Sequence, residues 1–203
     1  MDKALLIAYA SVAVIIALLL LLTEKRRLPL STFLPVVVMV VVASIGRVIF
    51  GFIPNVQPVT VIVIIMGLCY NAESGLLTGI LCALVSNMMM GQGPWTLWQM
   101  LAWGLIGLLA GLFGKIKPLK NVKFAVFYSV IAAFLFSIIT DTWTVLTLAD
   151  GLTLAGALSV FGAGLAFNIP HAVFNGVLCA IIFKPMDKRL TRIKQKFIDT
   201  VDE

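Results

Sequence analysis

Residues 91–103, GQGPWTLWQMLAW, combine aromatic rings, amides and a hydroxyl around a break in apolar sequence. Gly91, Gly93 and Pro94 interrupt the helical pattern, because glycine permits and proline imposes backbone that a helix does not use. The chemically interesting side chains follow directly: Trp95, Thr96, Trp98, Gln99 and Trp103. Aromatic surfaces with a few polar groups typically line a small-molecule pocket. The alternative is an aromatic belt, in which tryptophans lie at headgroup depth.

Other polar residues belong to the same end of the apolar segments. They are Arg47, Asn55, Gln57, Asn87, Gln92, Asp141 and Trp143. Polar groups within apolar helices face a cavity or a partner, so these are candidate substrate contacts. Arg47 and Asp141 either pair with each other, or Arg47 binds an anionic group of a ligand.

A third polar set occupies the last helical segment, where Asn168, His171 and Asn175 recur at i, i+3 and i+7 and therefore share one face. His171 is the only histidine. It either makes an interhelical hydrogen bond, contacts a substrate together with Asn168, or ligates a substrate's metal. No intramembrane carboxylate accompanies it, which disfavours a proton pump.

The motifs of several enzyme classes are missing from the chain. GxxxxGK[ST], HExxH and GxSxG do not occur. Cys69, Cys82 and Cys179 lie apart inside apolar segments and lack the spacing of metal ligands. We therefore expect no catalytic residues, no metal site and no cofactor in this chain, and any ATP hydrolysis on another polypeptide.

Composition identifies the elements that must position these residues. The chain has 203 residues, 61% of them hydrophobic, and a mean hydropathy of +1.10, which indicates an integral membrane protein. Apolar periodicity predicts seven helices in one all-α domain: 3–22, 31–51, 58–70, 73–90, 95–114, 122–140 and 157–183. A loop is expected over 141–151, and residues 184–203 form a basic tail.

Basic residues predict the orientation of the helices. They cluster in three segments, 25–27, 115–123 and 184–196, which seven spans place on one face of the membrane. The positive-inside rule makes that face cytoplasmic and the N-terminus external. A nucleic-acid surface is excluded, because it requires a single folded basic patch.

Small residues recur at spacings that allow helices to approach closely. The first helix carries Ala4, Ala8, Ala13 and Ala17, and the fifth carries Gly104, Gly107, Gly111 and Gly114. These stripes serve either packing within the bundle or docking onto another membrane subunit.

From about residue 31 to 183, the order of parts resembles the substrate-binding S components of energy-coupling factor (ECF) vitamin transporters. A helix ending in a polar loop (47–58) precedes a short helix, a small-residue turn (71–75) and a loop at 91–96. Those six spans correspond to the six-helix core of an S component, and the helix at 3–22 is an addition. The segment SNMMMGQGPWTLWQMLAWGLIGLLAGL is most similar to members handling cobalamin or queuosine precursors.

The resemblance implies a high-affinity binding subunit in a bacterial plasma membrane, with cobalamin as the expected substrate. A queuosine precursor, another small vitamin, or a gradient-driven transporter are the alternatives. The implied partners are a membrane T component and two cytoplasmic ATPases. The implied pocket is lined by the outer loops: Gln57, Gln92, Trp95, Thr96 and Trp143. An AxxxA docking motif is not clean here, so docking is expected at Ala43 and Gly46, or alternatively at Ala13 and Ala17.

Overall fold

A computed structural model describes residues 3–24, 30–148 and 153–199, and all of its regular structure is helical. The helices are α1 (Lys3–Glu24), α2 (Leu30–Ile49), α3 (Val59–Cys69), α4 (Ala72–Met90), α5 (Thr96–Gly114), α6 (Val122–Thr147) and α7 (Leu154–Asp199). A 3-10 turn at Lys117–Leu119 connects α5 to α6. The predicted all-α fold is confirmed, and within these described ranges five helices are long and apolar enough to cross a membrane.

The other two helices, α1 and α3, have shorter apolar segments. The apolar part of α1 is Leu5–Leu21, and α3 has only 11 residues, all of them buried. At about 1.5 Å per residue α3 is roughly 17 Å long, well short of a hydrocarbon core. It therefore lies inside the bundle, where its neighbours shield it from lipid.

Glycines set the closest helix packing in the bundle. A Cβ placed on Gly107 of α5 would collide with the backbone of Gly75 in α4, and a Cβ on Gly75 would collide with the Gly107 carbonyl. Gly79 meets the Trp103 carbonyl in the same way, and Gly111 meets Ala72. The α5 glycines thus pack within the bundle, the first of the two alternatives that the sequence allowed.

Two helices are longer than the sequence predicted. Residues 141–147, expected as a loop, continue α6. Their hydroxyls do not disrupt the helix, because Thr142 donates to the Ile138 carbonyl at 2.8 Å and Thr147 to that of Trp143 at 3.0 Å. The expected end of the last helix at 183 was also wrong, since α7 continues through Pro185 to Asp199.

The additional helix α1 packs against the core rather than standing apart. Val12 and Ile16 are buried in a cluster with Leu76, Ile80 and Trp98. Tyr9 accepts a hydrogen bond from Trp143 Nε1 at 2.9 Å. Helix α1 therefore covers the seam between α5 and the end of α6.

The two ends of the bundle differ in chemistry. We call the end with residues 50–58 and 91–95 the polar end, and the end with residues 115–121 and 184–196 the basic end. The predicted basic segment at 25–27 lies outside the described residues. The candidate site belongs to the polar end.

Candidate functional site

A cavity of about 370 Å³ opens at the polar end between α2, α5, α6, α7 and the 50–58 connection. Six of the twelve residues predicted to bind substrate line it: Arg47, Asn55, Gln57, Gln99, Asp141 and Asn168. The remaining wall is mostly apolar and includes Met90, Phe136 and Phe167. Half of the sixteen lining residues are polar or charged, so the cavity suits an organic ligand that carries several hydrogen-bonding groups.

Arg47 is held by neutral partners on the α2 and α4 side of the cavity. Its Nη1 donates to Ser86 Oγ at 2.5 Å and to Asn87 Oδ1 at 2.7 Å. Its guanidinium carbon lies 5.1 Å from the centroid of the Trp103 ring. Among the described residues no carboxylate pairs with it, so its positive charge is available to a ligand.

Asn87 connects this guanidinium to α5. It is 1% exposed and does not line the cavity. Its Nδ2 donates to Gln99 Oε1 at 2.7 Å and to Thr96 Oγ1 at 2.9 Å. Thr96 in turn donates to Gln92 Oε1 at 2.9 Å. Asn87, Thr96 and Gln92 therefore form a hydrogen-bond network behind the cavity, and Asn87 holds the side chains of Arg47 and Gln99 in place.

The opposite wall presents a carboxylate. Asp141 lines the cavity, and its Oδ2 is buried without a hydrogen-bond partner. The absence of a side chain at Gly164 makes room for it, because a Cβ there would lie 2.8 Å from this oxygen. Since Arg47 and Asp141 form no ion pair in the described chain, the cavity has a hydrogen-bond donor and an acceptor on separate walls.

Asn168 joins the cavity wall to the 50–58 connection. Its Oδ1 accepts from Ser137 Oγ at 2.5 Å and from Asn55 Nδ2 at 3.4 Å. Asn55 Nδ2 also donates to the Phe167 carbonyl at 3.2 Å. Asn55 has a φ of 60°, a left-handed conformation that asparagine tolerates better than most residues. The connection is therefore tied to α7 at the rim.

The tryptophans of the 91–103 segment do not line the cavity. Trp95 packs edge-to-face on Trp143 with centroids 5.6 Å apart, and Trp98 on Tyr9 at 4.9 Å. They form an aromatic seam between α1, α5 and α6. Trp103 is fully buried below the cavity, stacked on Phe136 at 4.6 Å.

His171 lies one turn beyond Asn168, deeper than the cavity. Its Nε2 lies 3.2 Å from Thr60 Oγ1, and this hydroxyl oxygen accepts a hydrogen bond from Trp103 Nε1 at 3.0 Å. Its ring is fully buried and makes an edge contact with Phe136. This is the interhelical hydrogen bond that was one of the three roles considered for His171.

The residues considered for docking differ in exposure. Ala43 is fully buried within the bundle, and a Cβ on Gly46 would be 2.6 Å from Pro58 Cγ. Ala13 and Ala17 are exposed on α1.

Sequence reasoning missed part of the cavity wall. Ser137 and Thr140 line it beside Asp141. These positions are spaced i, i+3 and i+4 and so share one helical face. This spacing could have identified Ser137 and Thr140 as neighbours of Asp141. It was missed because the predicted helix ended at residue 140 and Asp141 was assigned to a loop.

A family comparison adds to this geometry. The model of the family described as "ECF-type riboflavin transporter, S component" matches residues 35–188. This chain belongs to that family. The matched region begins within α2 and includes every residue that lines the cavity, so α1 lies outside it. No curated protein and no solved structure matched the chain.

Membership establishes the coarser part of the sequence-based resemblance. This chain is an S component, the substrate-binding subunit of a transporter, and a multi-pass membrane protein rather than an enzyme. The finer resemblance to members handling cobalamin or queuosine precursors finds no support in this match.

Proposed function

We propose that this S component binds riboflavin or a closely related flavin for ATP-driven uptake. The main support is the cavity at the polar end, about 370 Å³ with Arg47 and Asp141 on separate walls, in a chain of a family named for riboflavin. Riboflavin thus replaces the cobalamin that the sequence suggested.

The size of the cavity favours the flavin. A tricyclic ring with a short polyol chain is comparable in size to a site of 370 Å³, near the lower end of the roughly 300–1,000 Å³ typical of ligand pockets. A corrinoid is several times larger, because it combines a macrocycle with a nucleotide arm. It would require a much wider opening.

The chemistry of the walls also suits a flavin. The pyrimidinedione edge of an isoalloxazine alternates carbonyl acceptors with an N–H donor. Arg47 donates and the carboxylate of Asp141 accepts, so both kinds of group have a partner. The rings of Phe136 and Phe167 supply aromatic surface, and the amides of Asn55 and Gln57 suit the ribityl hydroxyls.

The surroundings of the site suggest its orientation and partners. The basic end faces the cytoplasm of a bacterium by the positive-inside rule, so the cavity faces outward and the N-terminus is external. A membrane T component and two cytoplasmic ATPases supply the energy, because this chain has no phosphate-binding loop. Docking through Ala13 and Ala17 fits their exposure on α1, whereas Ala43 and Gly46 pack inward.

Flavin fluorescence provides a direct test. Purified protein in detergent is titrated with riboflavin, and quenching reports binding. Replacement of Asp141 by asparagine keeps the size of the side chain but removes an accepting oxygen. We expect the affinity to fall about tenfold, the value of one hydrogen bond. The control is Thr142→Val, because Thr142 is exposed and bonds only its own helix.

The competing outcomes are distinguishable. Co-purification or titration of cyanocobalamin, with no response to riboflavin, would restore the corrinoid. Binding of neither would contradict a vitamin site of this kind. Uptake by riboflavin-requiring cells is expected only when the T component and ATPases are co-expressed, and uptake by this chain alone would refute the assigned partners.

A further inference from the structure

A second cavity lies at the basic end, between the start of α2 and the last part of α7. It has a volume of about 440 Å³ and shares no lining residue with the polar-end cavity. We call it the basic-end groove. Its lining is Leu34, Pro35, Val38, Met39, Leu190, Ile193 and Lys196. Six of these seven side chains carry no polar group, so the groove is unsuited to a water-soluble vitamin.

The α7 wall of the groove belongs to a basic, amphipathic segment, residues 184–196. Leu190 is 3% exposed and packs in the core, whereas Lys188, Arg189 and Arg192 are exposed. The segment contains six basic residues and one acid, a formal charge of +5. That acid, Asp187, is paired with Lys120 at 3.5 Å.

This wall is fixed against the bundle. The ammonium of Lys194 lies 5.6 Å from the centroid of the Tyr70 ring at the end of α3. Leu190 belongs to the main hydrophobic core. The groove therefore has two defined sides, formed by α2 and by α7.

The α2 side is continuous with the surface that faces lipid. Leu34 is 48% and Val38 51% exposed, and both lie on a membrane-spanning helix. Acyl chains already surround this helix in a bilayer. In the groove that apolar surface becomes concave and meets a strongly basic segment, close to the start of the α2 span at Thr32.

We propose that the basic-end groove binds an anionic phospholipid. One acyl chain fills the apolar slot, and the phosphate lies among Arg189, Arg192 and Lys196. Charge complementarity favours this ligand, because the basic face of α7 matches the anionic headgroup and the apolar slot matches the acyl chain. The inference does not depend on the identity of the vitamin.

Native mass spectrometry tests the proposal on the full chain. The protein is purified from an equimolar mixture of phosphatidylglycerol and phosphatidylcholine with identical acyl chains, and retained lipids are counted. We expect phosphatidylglycerol to be preferred. In the double variant Arg192→Gln/Lys196→Gln, the ratio of retained phosphatidylglycerol to phosphatidylcholine should fall about fivefold for each charge removed. Val38→Trp, which fills the slot from the exposed side of α2, should lower retention of both lipids.

The matched control is Lys115→Gln/Lys117→Gln, two basic residues at the same end that do not line the groove. It should retain the wild-type preference. Circular dichroism and gel filtration verify that each variant folds. An equal loss in the control would indicate diffuse attraction and overturn the proposal. Unchanged retention in Val38→Trp, or a groove filled instead by the T component in a cross-linked complex, would overturn it as well.

Discussion

Replacement of Asn87 by leucine should weaken both the fold and the substrate site. The side chain of Asn87 is buried and makes three hydrogen bonds, to Arg47, Thr96 and Gln99. A hydrogen bond to a charged group contributes about 1.5–3 kcal/mol, and neutral ones within membranes about 0.6 kcal/mol each. Leucine is similar in size but makes none of them. We therefore expect a loss of about 3–4 kcal/mol in the free energy of unfolding.

The effect on ligand affinity follows from the same contacts. Asn87 does not line the cavity, but Arg47 and Gln99 do. Loss of their orienting hydrogen bonds should lower affinity for riboflavin by about tenfold, equivalent to about 1.4 kcal/mol. Unfolding in mixed micelles at increasing dodecyl sulfate measures stability, and fluorescence quenching measures affinity.

Thr142→Val serves as the control, since Thr142 is exposed at the same end. It should change the free energy of unfolding by less than about 0.5 kcal/mol. The reasoning is refuted if Asn87→Leu costs less than about 1 kcal/mol, because the network would then contribute no more than an ordinary surface contact. It is also refuted if stability falls while affinity is unchanged, because Arg47 and Gln99 would then hold their positions without Asn87.

Two further predictions concern helix packing. Gly107→Ala should prevent normal folding or lower the thermal midpoint strongly, because its Cβ has no space beside the Gly75 backbone. Gly162→Ala, with open space around the new methyl group, should leave the midpoint unchanged or raise it. A tolerated Gly107→Ala would contradict the packing of α4 on α5. Trp143→Phe removes the hydrogen bond to Tyr9, so limited proteolysis should release α1 faster than in wild type; equal rates would show that this bond does not hold α1.

The sequence predicted much of the architecture because hydropathy is a local property. The bounds of α2 to α5 differ from the predicted ones by at most two residues. The errors fell at residues 141–147 and 184–199, where polar side chains were taken as the end of a helix. Those side chains do not end a helix, because hydroxyls can bond the preceding turn and charged residues can remain on its exposed face.

The sequence also identified the end of the bundle at which the polar residues gather. It did not show which of them line the cavity and which pack behind it. Arg47, Gln99 and Asp141 line the cavity, whereas Asn87 lies behind it and Trp95 packs near α1. The rotation of each helix about its axis decides this division. Membrane character, helix number and the polar end follow from composition and order along the chain. The cavity itself depends on contacts between distant residues, above all the glycine contacts that fix α5 against α4.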